Sequence, residues 1–207
     1  MNRYEISSEW NTDEFRRQIH DRGNGNSFSC PYGACRVKDC RDNACGIDTS
    51  RALVVCGSGN NGGDGFAIAR LLTEEGMEAQ ILFAGKESSL SRECGIKKKI
   101  AENLGISIIT EIPAREYTVI IDAVFGVGLS REISGKYKDI IAWMNEQKCQ
   151  KVAVDIPSGV SSATGKILGT AFYADLTVAM ACVKVGSEMY PGKYCAGKTV
   201  AVPIGID

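Results

Sequence analysis

Cys56-Gly57-Ser58-Gly59-Asn60-Asn61-Gly62-Gly63-Asp64-Gly65 decides how the rest of the chain is read. Five of its ten residues are glycine. An apolar run over 52–56 precedes it, and a helical pattern starting at Phe66 follows. Strand, glycine loop, helix is the layout of a loop whose backbone comes close to a ligand. Glycine supplies unusual dihedrals and removes the Cβ that would block the approach. Asn60, Asn61 and Asp64 add two amides and a carboxylate to the backbone N–H groups. A functional reading has to account for that mixture.

Outward from this loop the pattern is regular. The run 52–56 reads as a parallel strand buried on both faces. A helix is expected over 66–75, capped by Asp64 and closed by Gly76. Further strands are expected over 79–84, 106–110, 118–124 (carrying Asp122), 151–156 (carrying Asp155), 176–181 and 198–202. Helices are expected over 90–104 and 136–147, and Pro191-Gly192 reads as loop. The run Lys97-Lys98-Lys99 reads as a solvated face. Strands alternating with helices predict an α/β domain: a Rossmann-like three-layer αβα sandwich around a mostly parallel sheet. In such sheets ligands bind beyond the carboxyl ends of the strands. Three polar features fall there: the glycine loop, Asp122 with the segment 125–129, and Asp155 with Ile156-Pro157-Ser158-Gly159. Each carboxylate taken singly reads as a turn cap. Three such features on one rim read better as a shared site.

Residues 1–50 differ from the rest. An amphipathic helix is expected over 10–22, broken by the glycines and asparagines at 23–26. Cys30, Cys35, Cys40 and Cys45 follow at steps of five. A zinc or iron–sulfur site is one reading, and four unrelated loop thiols is the other. A helix would scatter these thiols, because each step turns it by about 140°. Zinc pairs usually stand closer. The five remaining cysteines, Cys56, Cys94, Cys149, Cys182 and Cys195, read as small buried hydrophobes. The expected division is an atypical cysteine-containing segment, 1–50, and one domain, 51–207.

Composition narrows the function classes. The 207 residues carry a formal net charge of −1, with 44% hydrophobic and 24% charged residues. That balance argues against a nucleic-acid or membrane surface. No apolar run approaches the length of a membrane-crossing helix, and the start lacks a secretory h-region. A cytoplasmic location is the expectation.

Gly57-Ser58-Gly59-Asn60-Asn61-Gly62 fits the pattern G-x-G-x-x-G, yet a dehydrogenase is a poor fit. The second strand ends Phe83-Ala84-Gly85-Lys86, without the acid that would hold a ribose. Asp64 would repel a pyrophosphate. No Lys-Ser/Thr follows the glycines, and His20 is the single histidine. What the rim offers is oxygen: Asn60, Asn61, Asp64, Asp122, Asp155 and Ser158. Such a set suits a hard cation, polyol hydroxyls, or both.

The motif Gly59-Asn60-Asn61-Gly62-Gly63-Asp64-Gly65, with Ala69-Arg70 after it, resembles the signature of the YjeF N-terminal domain family, the NAD(P)H-hydrate epimerases. The likeness continues through Asp122-Ala123-Val124-Phe125-Gly126-Val127-Gly128-Leu129-Ser130-Arg131 and Val154-Asp155-Ile156-Pro157-Ser158-Gly159. Thr164-Gly165, Ala174-Asp175-Leu176-Thr177, Lys184-Val185-Gly186 and the ending Val202-Pro203-Ile204-Gly205-Ile206 also fit. The resemblance implies an isomerase that interconverts the R and S forms of NADHX and NADPHX, cofactors hydrated at C6 of the nicotinamide ring. It implies substrate contacts from Asn60-Asn61-Gly62-Gly63-Asp64, from Gly126-Val127-Gly128-Leu129-Ser130-Arg131-Glu132 and from Asp155. It implies a potassium ion on Asn61, Asp122 and Ser158; the expulsion of the C6 hydroxyl needs an acid/base and charge stabiliser, for which Asp155 is the expected residue, with Lys184 assisting it or anchoring phosphate. The partners it implies are an ADP- or ATP-dependent NAD(P)H-hydrate dehydratase and a second copy of the chain.

One element departs from the family. Asp42-Asn43-Ala44-Cys45-Gly46 is a faint echo of an L-M-E-N-A-G-like helical element, and too few residues separate it from the first strand for a full helix. A non-catalytic nucleotide-binding or dimerising scaffold of the same fold is therefore the alternative, as in eukaryotic mRNA-decapping enhancers.

Overall fold

The computed structural model describes residues 47–203. Seven strands run through them: β1 (Arg51–Cys56), β2 (Glu78–Phe83), β3 (Ser107–Ile109), β4 (Val119–Ala123), β5 (Gln150–Val154), β6 (Leu176–Met180) and β7 (Lys198–Val202). Between them lie α1 (Asn60–Glu74), α2 (Arg92–Asn103), α3 (Lys136–Glu146) and two short helices, α4 (Val185–Glu188) and α5 (Gly192–Ala196). The sheet order is β3-β2-β1-β4-β5-β6-β7. Every neighbouring pair is parallel.

The apolar runs follow from burial on both faces. In β1, Val54 and Cys56 pack with Phe66 and Leu72 of α1 and with Cys94 of α2. The alternate residues Leu53 and Val55 share the opposite layer with Ile140, Ile141 and Met144 of α3. Successive strand side chains point to opposite faces, so one strand feeds two cores. Burying each Leu, Ile, Val or Phe contributes roughly 1.5–3 kcal/mol. The expected three-layer α/β fold is what forms.

The chain winds outward from β1 through β2 to β3, then returns to place β4 on the other side. A crevice opens at such a reversal, beyond the strand ends. The N–H of Gly57 donates to Ala123 O at 3.0 Å, tying the glycine loop to the end of β4 there. A Cβ at Gly57 would stand 2.1 Å from Val124 O, so only glycine fits this crossing.

Several expectations need correction. Helix α1 begins at Asn60, not Phe66, so most of the glycine loop is its first turns. Gly59 is the N-cap, without a side-chain cap bond, and Asp64 is not the cap. Low helix propensity at Gly62, Gly63 and Gly65 is overridden by packing, since all three are buried. Asp155 stands one residue beyond β5 instead of within it. Pro191-Gly192 leads into α5 and is not simply loop. Cys56, Cys94 and Cys195 are buried as expected, whereas Cys149 is half-buried and Cys182 is exposed. In the lysine run only Lys99 keeps most of its side chain in water. The N-terminal helix, His20, the four cysteines at 30–45 and the element 42–46 lie outside the described residues.

Candidate active site

Asp122 is the fourth residue of β4 and is fully buried. Its desolvation is offset by fixed donors. The hydroxyl of Ser158 donates to Oδ1 at 2.7 Å and its N–H donates to Oδ2 at 2.7 Å. The N–H of Val124 adds 3.1 Å to Oδ1. The Ser158 hydroxyl in turn accepts from the N–H of Phe125 at 2.8 Å. Burial pushes the Asp122 carboxyl up to about 6, and the bonds from Ser158 and Val124 pull against it. The loop after β4 is thereby pinned to the loop after β5.

Asn61, on the first turn of α1, reaches the same place. A Cβ added to Gly126 would lie 3.3 Å from the Asn61 side chain, so amide and loop are in contact. The Asn61 Nδ2 is buried and has no hydrogen-bond partner. An orphaned buried amide is costly. Oxygen and nitrogen of an amide interchange by a half-turn of the side chain, which would aim an oxygen there instead. Asp122 and Ser158 are thus bonded to each other and to Phe125, and Asn61 lies against the next residue of the same loop, Gly126. No cluster of three His, Cys, Asp or Glu side chains able to hold a metal occurs among the described residues. An alkali cation needs no such cluster, because amide, hydroxyl and carbonyl oxygens suit it.

Asp155 has φ of 70°, a left-handed conformation rare outside glycine but accessible to Asp. Its N–H donates to Val178 O at 2.8 Å, and its Oδ1 accepts from the N–H of Met180 at 3.1 Å. The Lys184 ammonium bonds the same Oδ1 and donates to Met180 O at 2.6 Å. Side-chain exposures of 14% for Lys184 and 13% for Asp155 make this a largely buried ion pair. Lys184 is therefore not a free surface lysine. Backbone strain of this kind concentrates at working sites.

The other expected residues are placed as follows. Asn60 is exposed at the start of α1, while Gly62 and Gly63 are buried. Asp64 pairs with Lys97 at 2.9 Å. Burial raises the Asp64 carboxyl, and the Lys97 charge draws it down. Gly126 is half-buried, and Val127 and Gly128 are exposed. Leu129 is half-buried, its N–H donating to Gly126 O at 3.2 Å, and Ser130, Arg131 and Glu132 are exposed. The segment 126–132 thus forms an open rim loop, in contrast to the tight cluster below it. Sequence reasoning missed Lys97, whose signal was diluted in a run of three lysines.

With the geometry in view, comparison with known proteins is informative. A family model described as YjeF-related protein N-terminus matches residues 36–186. The chain belongs to this family. It is 41% identical over 161 residues to a protein of Oenococcus oeni named NAD(P)H-hydrate epimerase, covering 77% of each. A Limosilactobacillus reuteri protein of the same name is 42% identical over 168 residues, covering 81% of this chain and 79% of the relative. A Thermofilum pendens protein named bifunctional NAD(P)H-hydrate repair enzyme Nnr is 36% identical over 159 residues, which span 71% of this chain and 30% of that protein. Among solved structures, yeast ynu0 aligns with a TM-score of 0.69 at 15% identity, covering 98% of this chain and 79% of that one. That likeness bears on the fold.

Proposed function

We propose that this YjeF-family protein is an NAD(P)H-hydrate epimerase acting on NADHX and NADPHX. The observation that carries the site assignment is the buried Asp155–Lys184 pair at the carboxyl rim of the sheet. A scaffold domain has no need to hold a strained, desolvated ion pair there.

The chemistry follows from the substrate. Its C6 hydroxyl sits on a carbon bonded to the ring nitrogen. That nitrogen's lone pair helps expel the hydroxyl once it is protonated, and water leaves. A planar iminium-like ring remains, to which water adds on either face. The step needs a proton at the leaving oxygen and negative charge near the ring. The Asp155–Lys184 pair supplies the proton and takes one back when water adds. The Asp155 carboxylate stabilises the cationic ring. The start of α1 offers backbone N–H groups to the substrate's phosphates, and the open rim loop 126–132 contacts its outer side.

Asn61, Asp122 and Ser158 are the residues that would hold a potassium ion. The orphaned Asn61 amide supports this, as does the fully buried Asp122 carboxylate that accepts from the Ser158 hydroxyl. The ion would supply a fixed positive charge that keeps Asp122 ionised and the two loops joined. A homodimer, a cytoplasmic location, a boundary near residue 50 and a dehydratase that consumes the S form belong to the same reading. No helix among the described residues is long and apolar enough to cross a membrane.

The deciding experiment feeds pure R-NADHX to the protein and follows the S form by chromatography, with and without potassium. Acceleration over the spontaneous rate is expected, larger with potassium. An unchanged rate would leave the scaffold reading standing.

A further inference from the structure

The side chain of Lys97 runs behind the glycine loop. Its Cδ would lie 3.5 Å from a Cβ at Gly63, and its ammonium pairs with Asp64 Oδ1 at 2.9 Å. Both side chains are four-fifths buried, at 17% and 20% exposure. The neighbouring lysines turn away: Lys98 pairs with Glu87 and Glu102, and Lys99 with Glu102. The start of α2 grips the loop at two more points. The N–H of Ser91 donates to Ser58 O at 2.9 Å, and the Cys94 thiol contacts Gly57 O at 3.7 Å. Helix α2 is thus the back wall of the loop, and Lys97 is the charge in that wall.

An anionic substrate faces an obstacle here. The candidate site carries three carboxylates, Asp64, Asp122 and Asp155. Asp155 is paired with Lys184, and Asp122 is held by Ser158 and backbone donors. Asp64, on the second turn of α1, would by itself oppose a diphosphate drawn to the loop's N–H groups. We propose that Lys97 is a positioning residue that neutralises and fixes Asp64, so that the glycine loop can accept the substrate's diphosphate. It acts through Asp64 and needs no contact with the substrate. The proposal rests on the epimerase reading only for the identity of that diphosphate.

Two readouts test it. The first is R-NADHX kinetics of Lys97→Met, Lys97→Arg and Asp64→Asn/Lys97→Met, with melting temperatures confirming that each folds. Lys97→Met is expected to raise KM about tenfold, about 1.4 kcal/mol of binding, with kcat within about twofold. Lys97→Arg keeps KM within about threefold, and the double variant binds more tightly than Lys97→Met because the lone carboxylate is gone. The second is calorimetric binding of ADP-ribose, which carries the same diphosphate and needs no turnover. The same ranking of affinities is expected, so the role of Lys97 is readable even if wild type proves inactive on NADHX. An unchanged KM and ADP-ribose affinity in Lys97→Met overturns the proposal, as does a double variant no better than the single one. Wild type that fails to bind ADP-ribose at millimolar concentration overturns it too. Should Lys97→Met not fold, Lys97→Arg against the double variant carries the comparison, and equal affinities there remove the charge argument.

Discussion

Asp155 combines two demands on one residue: a carboxylate in an ion pair, and a backbone at φ of 70°. Its replacements separate these demands. Asp155→Asn keeps a residue that tolerates the left-handed region but leaves the buried Lys184 ammonium without its counter-charge, so it is expected to fold with a loss of about 3 kcal/mol while losing nearly all epimerase rate. Asp155→Ala removes the charge and strains the turn, costing about 1–2 kcal/mol more than Asp155→Gly, which suits that φ. Thermal denaturation of the three variants beside an epimerase assay reads both effects. Full activity in Asp155→Asn would remove this residue from the chemistry. At Ser158 the issue is satisfaction of a buried charge. Ser158→Ala takes one donor from Asp122 and a side-chain acceptor from the Phe125 N–H. A loss of about 1–3 kcal/mol in urea unfolding is expected, with weaker potassium dependence of the rate.

At the scale of elements, the turns after β1 and β5 are built so tightly that side chains are excluded. A Cβ at Gly159, at φ of 92°, would stand 1.8 Å from Thr170 O. Gly159→Ala is therefore expected to destabilise by about 3 kcal/mol or more, displacing Ser158 with it, and circular dichroism melts would show it. A wild-type melting temperature in that variant would contradict the geometry. Much of this was legible in the sequence. The strand runs, with bounds within a residue or two, follow from continuous burial, which writes itself as apolar runs. The rim carboxylates stood out because each polar residue interrupts such a run. The start of α1 was not legible, because glycine reads as a helix breaker. Only the packing of Gly65 against Cys56 and Ala123 shows why helix persists there. The role of Lys97 was hidden for a related reason. Three adjacent lysines point three ways on a helix, and sequence does not say which faces the neighbour. The short helices α4 and α5, of four and five residues, fall below the length at which periodicity can be seen.

For the whole molecule, the proposed potassium site at the rim of β4 and β5 would couple folding to ion binding. Asp122 is anchored by both rim loops, and burial raises its carboxyl from its ordinary value to about 6. Sign matters here. A carboxyl raised on folding favours the protonated folded state, so its contribution to stability is full below its ordinary value. That contribution is lost as pH rises through about 6. Without a cation, the protein gives up stability over that window as Asp122 ionises in a buried place. On the proposed assignment potassium would bind the ionised form and so restore what ionisation removes. Raising potassium from zero to about 100 times its dissociation constant stabilises by about 2.7 kcal/mol at most, and only where Asp122 is charged. Melting temperatures at pH 5 and pH 7.5, with potassium or an equal concentration of tetramethylammonium, check this. The potassium increment is expected to be several degrees at pH 7.5 and to shrink at pH 5. In Asp122→Asn the increment should vanish at both. An increment independent of pH, or one that survives in Asp122→Asn, would place the ion elsewhere and leave Asn61 without the partner its buried amide calls for.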